Sequence, residues 1–277
     1  MRHIHYLLSS IEAALFLGLL FASLPAAADT IRTGGTGSAL GTIKILANAF
    51  EVSHPDTKII AVPAMGSSGG IKAVAADALD IGLSGRPLKP NERALSLTEQ
   101  EIARTPLVLA SMRTHVGFTL NELARIFDGT LRTWPDGSPL RPILRPQSDS
   151  ETALLRAISP EMDHSLTVAH ARQGVHIAIT DQDSADAIEH IPGALGTSTL
   201  ALVLSERRKI KVLPLNGVTP NVTALARGDY PYFKPLYLIA RQNPPEPVRA
   251  FIVFVRSAQG SKILRDNGYL PMMPMGK

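Results

Sequence analysis

Between Met65 and Leu88 (MGSSGGIKAVAADALDIGLSGRPL) a glycine- and serine-rich turn runs into a helical pattern and out into a second serine-bearing turn. Ile71, Val74, Ala75 and Ala78 fall at i, i+3, i+4 and i+7, one helix face, which places Ser67 or Ser68 at the N-cap and Gly69–Gly70 in the first turn. Free N–H groups, the positive end of the helix dipole and two hydroxyls there suit an anion. The same stretch also reads as an ordinary capped helix.

The pattern repeats the arrangement on both sides. Ile31–Thr33 is an expected strand, Gly34-Gly35-Thr36-Gly37-Ser38 a turn, and Leu40–Glu51 a helix with Ile43, Leu46, Ala47 and Phe50 on one stripe. GGTGS lacks the GxGxxG spacing of a dinucleotide fingerprint. Lys58–Val62 and Asp80–Leu83 are the next expected strands, Pro87–Glu101 is polar and irregular, and Pro106–Ser111 is a buried strand. Strands alternating with helices imply a mainly parallel sheet covered on both faces.

Beyond Ser111 the organisation changes. Thr119 and Glu122 form a capping box opening a helix Leu120–Phe127 that Gly129 stops. Pro142–Arg145 is a strand that delivers Arg145 to the turn Pro146–Asp149, and a helix Ser150–Ile158 follows, with Ser148, Ser150 and Thr152 around its start. Expected elements then run as a helix Asp183–His190, strands Ala194–Thr197 and Lys211–Leu215, a helix capped by Thr219-Pro220 and ending at Arg227, and the long apolar strand Tyr232–Ala240. Helices Pro247–Arg256 and Ser261–Asp266 close the chain.

Composition sets the compartment and removes several function classes. Arg2, the apolar run Ala13–Leu24 and Ala26-Ala27-Ala28 read as a secretory signal peptide over residues 1–28, with a mature start at Asp29 and a periplasmic destination. The sequence holds no cysteine, hence no disulfide and no lipid-accepting thiol. Net charge is +4 and aromatic residues make up 5%, too little clustered charge and stacking surface for a nucleic-acid partner but enough basic excess to attract a small anion. His164, His170, His176 and His190 lack ligand spacing, so no metal is expected. No GxSxG elbow with a following acid and histidine is present, so no catalytic residue is expected, and Trp134 reads as a packed residue.

Taken in order, the early GTGS turn, GSSGGIKAVAADALDIGLSGRPL, ELARIFDGTLRTWPDG, PILRPQSDSET, GALGTSTLALV, VTPNVTALARGDYPYFKPLYLIA and FIVFVRSAQGSKILRDNGYLP resemble the periplasmic phosphate-binding proteins of ABC importers. The resemblance implies a two-lobed α/β fold, the type II periplasmic binding protein fold, each lobe a mainly parallel sheet flanked by helices. Two crossover hinge strands would lie near Pro106–Ser111 and Pro235–Ala240, making one lobe of residues 29–111 with 237–277 and the other of 112–236. It further implies a non-enzymatic, monomeric solute-binding protein that clamps an oxyanion, phosphate first, and hands it to an ABC permease. Carried over by position, the ligand would be held by Thr36, Gly37 and Ser38, by Ser67 and Ser68, by Ser84, and by Arg145 with Ser150 and Thr152.

Two departures open alternatives. Relatives carry Ser-Asp where this chain reads Ser84-Gly85-Arg86, so the carboxylate that accepts a proton from the ligand is absent; Arg86 either donates to the anion or pairs with a surface carboxylate. Glu151 replaces a glycine in the first helical turn, where a carboxylate facing a bound anion repels it by roughly 1 kcal/mol or more. Glu151 is therefore expected to point away, unless it or Asp149 supplies the missing acceptor. Sulfate, a molybdate-like anion or an organic phosphate remain alternative ligands, and a sensor or adhesion protein of the same fold an alternative role.

Overall fold

In the computed structural model, which describes residues 29–272, the chain begins with β1 (Asp29–Gly35); the expected signal segment lies outside the described residues. Thr36 leads from β1 into a 3-10 turn, Gly37–Ala39, and directly into α1 (Leu40–Ser53), whose stripe of Ile43, Leu46, Ala47 and Phe50 is buried. β2 (Thr57–Ala61) lies parallel to β1 on one side, and after α2 (Gly66–Ala75), β3 (Ile81–Ser84) lies parallel to it on the other.

The stretch expected to be irregular is ordered. It holds a one-turn helix α3 (Pro90–Arg93) and the start of β4 (Leu97–Ser111), a 15-residue strand. Its first half reads as polar because Thr98 is exposed and Glu99, Gln100 and Glu101 are only half-buried, so the pairing partner rather than an apolar pattern defines it.

The second half of the molecule runs α4 (Leu120–Asp128), β5 (Arg141–Leu144), α5 (Ser150–Arg156), α6 (Pro160–Ala171), β6 (His176–Ile177), α7 (Asp181–His190), β7 (Ala194–Thr199), α8 (Leu200–Ser205), β8 (Lys211–Leu213) and α9 (Val222–Arg227). The chain then returns through β9 (Phe233–Arg241) to α10 (Glu246–Val255), α11 (Ala258–Asp266) and β10 (Leu270–Pro271). α4 opens on the Thr119–Glu122 capping box and ends at Gly129 in the left-handed region, φ 84°. α9 is capped by Asn221, not by Thr219-Pro220.

Strand order is β2-β1-β3-β9-β4-β7-β5-β6, with β10 and β8 also on β4. Among the named strands of the described residues, each antiparallel pairing involves β4 or β9, while β2-β1-β3 and β7-β5-β6 are parallel. The mixed sheet is thus two parallel sets joined by two strands that cross between them. β4 pairs with β9 from Leu97 to Pro106 and with β7 from Leu107 to Ala110, so the change of partner falls at Pro106–Leu107. Each set has its own core. Ile31, Ile43, Phe50, Leu83 and Phe251 pack in the first, and Leu107, Leu109, Phe127, Trp134 and Leu155 in the second. Val108 and Ala110, on the opposite face of β4, join Ile143, Ile188 and Leu202.

Candidate functional site

The parallel strands end at a common seam, and the turns that leave them place the polar side chains there. From the first half come Thr36–Ser38 after β1, the start of α2, and Ser84–Gly85 after β3; from the second come Arg145 after β5, the start of α5 and the start of α7. This is the crevice beyond the carboxyl ends of strands, where open α/β sheets bind ligands.

Ser67 is not an N-cap. The helix begins at Gly66 with Met65 in the cap position, so Ser67 sits in the first turn, buried, and its Oγ accepts the Gly85 N–H at 2.9 Å. The same hydroxyl donates across the seam to Ser150 Oγ at 3.4 Å. Thr36 and Ser38 hydroxyls lie 3.0 Å apart, both buried, and Thr152 Oγ1 donates to the Arg145 carbonyl at 3.4 Å.

Three expected ligand residues are engaged elsewhere. Arg86 forms a fork with Glu92, 2.7 Å to each carboxylate oxygen, and donates to Ser68 Oγ at 2.9 Å. Ser84 Oγ donates to the Arg86 carbonyl at 2.6 Å, closing its own turn. Of the two roles open to Arg86, the carboxylate partnership is the one formed, and Ser68 and Ser84 are drawn into that cluster.

Arg145 is 4% exposed. Its Nη1 donates to the Ala178 carbonyl at 2.6 Å and its Nη2 to Asp149 at 3.0 Å, with Asp181 at 3.8 Å; its Nε has no partner. Asp149 doubles as the cap of α5, accepting from the Glu151 N–H at 2.8 Å.

Glu151 does not point away. It is 1% exposed, accepts a hydrogen bond from the Thr197 hydroxyl, and lies 3.6 Å from Lys234 Nζ. Lys234, on the crossing strand β9, is fully buried and also bonds Asp181 at 2.9 Å. Asp181 reaches from the second half over the first turn of the first half. A β-carbon placed on Gly37 would stand 2.9 Å from its Oδ2. Gln182, beside it, donates to the Gly37 carbonyl at 3.0 Å.

The charges respond to this burial. Burial pushes the Glu151 carboxyl up, with neighbouring Asp181 adding to the rise and Lys234 opposing it. Burial also works against ionised Asp181, but Lys234 and Arg145 outweigh it and hold Asp181 below the usual carboxylate value. The Lys234 ammonium is disfavoured by burial yet raised on balance by Asp181 and Glu151. Two buried cations therefore face two buried carboxylates, with half-buried Asp149 at the edge. Such a set is held together by mutual pairing, because each charge alone would cost several kcal/mol.

Lys234 and Asp181 are the site residues that apolar spacing did not single out. A lysine in YFKPLYLIA, an otherwise apolar strand, was the available signal for the first. Asp181 fell two positions before the expected helix Asp183–His190 and was not singled out.

Residues 22–259 match the model of the PBP superfamily domain. The chain belongs to that family. Among curated relatives of this PBP-superfamily chain, the phosphate-binding protein PstS of Bacillus subtilis is 23% identical over 263 residues, covering 90% of this chain and 83% of the relative. Among solved structures, a putative phosphate ABC transporter substrate-binding protein with bound phosphate from Clostridium perfringens superposes with a TM-score of 0.77 at 21% identity, covering 88% of this chain and all of that one. An ABC-type phosphate transport receptor from Vibrio cholerae superposes with a TM-score of 0.61 at 18% identity, over 88% of this chain. At these identities the structural likeness carries the fold. That fold is α/β, of the type II periplasmic binding kind, and the curated relative is named as a phosphate-binding protein.

Proposed function

We propose that this chain is a solute-binding protein that captures a small oxyanion, phosphate first, at the seam between its halves and hands it to an ABC permease. The observation that carries the proposal is the gathering at the seam of the Ser67 and Ser150 hydroxyls, 3.4 Å apart, and of the buried Arg145 and Lys234 cations, which meet on Asp181. Turn N–H groups and charge-assisted donors are what an oxyanion needs in order to leave water. The names of the curated relative and of the structural neighbours support phosphate as the first ligand to test. Thr36, Gly37 and Thr152 would frame the cradle rather than carry charge. The lobes proposed are residues 29–111 with 237–277 and residues 112–236, moving about β4 and β9. The chain would work as a monomer in the periplasm.

Sulfate, a molybdate-like anion and organic phosphates are the competing ligands, since Gly85 offers no acceptor for a ligand proton. Calorimetric titration with phosphate, sulfate and molybdate, after any carried ligand has been stripped by mild unfolding and refolding, tests the reading. Saturable binding of one of these anions is expected; no heat with any of them would overturn it.

A further inference from the structure

The groups that would hold an oxyanion already hold an anion, and it belongs to the protein. The Asp181 carboxylate lies 2.9 Å from Lys234 Nζ and 3.8 Å from Arg145 Nη2, and its Oδ2 would stand 2.9 Å from a β-carbon at Gly37, in the first turn of the first half. We propose that Asp181 is a built-in occupant of the anion cradle, which a ligand must displace, and that it sets a threshold of charge for entry.

The threshold follows from what is exchanged. A tethered carboxylate is present at high effective concentration, whereas a free monovalent anion brings the same charge and loses its translational freedom on binding. Monovalent anions therefore gain nothing by displacing it. A divalent oxyanion brings one more negative charge to Lys234 and Arg145, and its additional oxygens have a donor waiting. Arg145 Nε is buried and without a partner while Asp181 fills the cradle. Because Asp181 belongs to the second half and Gly37, which it overlies, to the first, separating the halves withdraws the occupant and exposes the cradle in a single movement.

The occupant rests on the geometry alone; the identity of what displaces it rests on the oxyanion function proposed above. The experiment separates the two. Asp181→Ala leaves a space the size of the deleted carboxylate, so acetate should bind the variant and not the parent in calorimetric titration. Phosphate should bind the variant at least tenfold more tightly than the parent. A cooperative melt checks that the variant is folded, and Asp181→Ser, with the same two titrations, replaces it if it is not. Failure of acetate to bind the folded variant overturns the proposal, as does unchanged or weaker phosphate binding by a variant whose parent binds phosphate. Acetate binding by the variant, with no divalent oxyanion bound by either protein, upholds the occupant and rejects the transport function instead.

Discussion

Lys234 lies across Gly85: a β-carbon added to that glycine would stand 2.7 Å from Lys234 Cε and 3.1 Å from Ser150 Oγ. The position that bears a carboxylate in the resembled family is here kept bare, and an ammonium stem fills the space. Gly85→Asp is therefore not a simple restoration of an acceptor, because the side chain would have to dislodge a lysine held by two carboxylates. Gly85→Ala should already cost about 1–3 kcal/mol by overpacking. Urea unfolding of parent and variant measures it, and a change under about 0.5 kcal/mol would mean that Lys234 gives way freely.

Lys234 itself should be costly to remove. Lys234→Met leaves Asp181 and Glu151 buried beside each other with Arg145 as the remaining buried cation, and breaking such a pair costs about 3–5 kcal/mol. Adding Glu151→Gln should return part of that loss, since one unpaired carboxylate goes with it. Equilibrium unfolding of the single and double variants decides, and equal stability of parent and Lys234→Met would show the network to be dispensable.

Acid should weaken the Arg86–Glu92 fork in a defined window. The Arg86 hydrogen bonds hold the Glu92 carboxyl below its ordinary value of 4.5, with burial working the other way and the Lys89 N–H adding to the drop. A carboxylate depressed in the folded state contributes stability that is fully present above its unfolded value and lost as pH falls through the folded one. The difference in urea midpoint between parent and Glu92→Gln should thus be constant from neutrality down to about pH 4.5 and shrink below it. A difference that grows on acidification would reverse the assignment.

Ser67→Ala should weaken oxyanion binding by roughly ten- to hundredfold, the worth of one hydrogen bond to a buried charge. The substitution also leaves the Gly85 N–H without its acceptor, so the unfolding midpoint should drop as well. Titration with phosphate at equal protein concentration separates the two effects. Affinity equal to that of the parent would place the ligand away from the start of α2.

Much of this was legible in the chain because it is local. The stripe Ile43, Leu46, Ala47 and Phe50, the Thr119–Glu122 box and the strand delivering Arg145 all depend on near neighbours in sequence. What escaped depends on distant ones. The first half of β4 is polar and becomes a strand only against β9, and α6 presents Met162, Ser165, Leu166 and Ala169, a stripe too weakly apolar to stand out. α8, six residues reading LALVLS, is apolar nearly all round and could not be told by pattern from a continuation of β7. In the candidate site the helix starts and Arg145 were visible, but the charges that fill the cradle were not. Asp181 and Lys234 lie 53 positions apart, and only the closed seam makes them partners.

The pairing of β4 with β9 also governs when the protein can come into being. Leu97 waits for Arg241 and Gly82 for Ile239, so the free edge of β3 and the first half of β4 both stay unpaired while the intervening segments are synthesised. Contacts so remote in sequence make for slow acquisition of structure and for a long-lived, adhesive intermediate. A chain halted short of Phe233 would lack the strand that completes the first half and the lysine that neutralises the second half's acids, and should remain a substrate for chaperones and proteases.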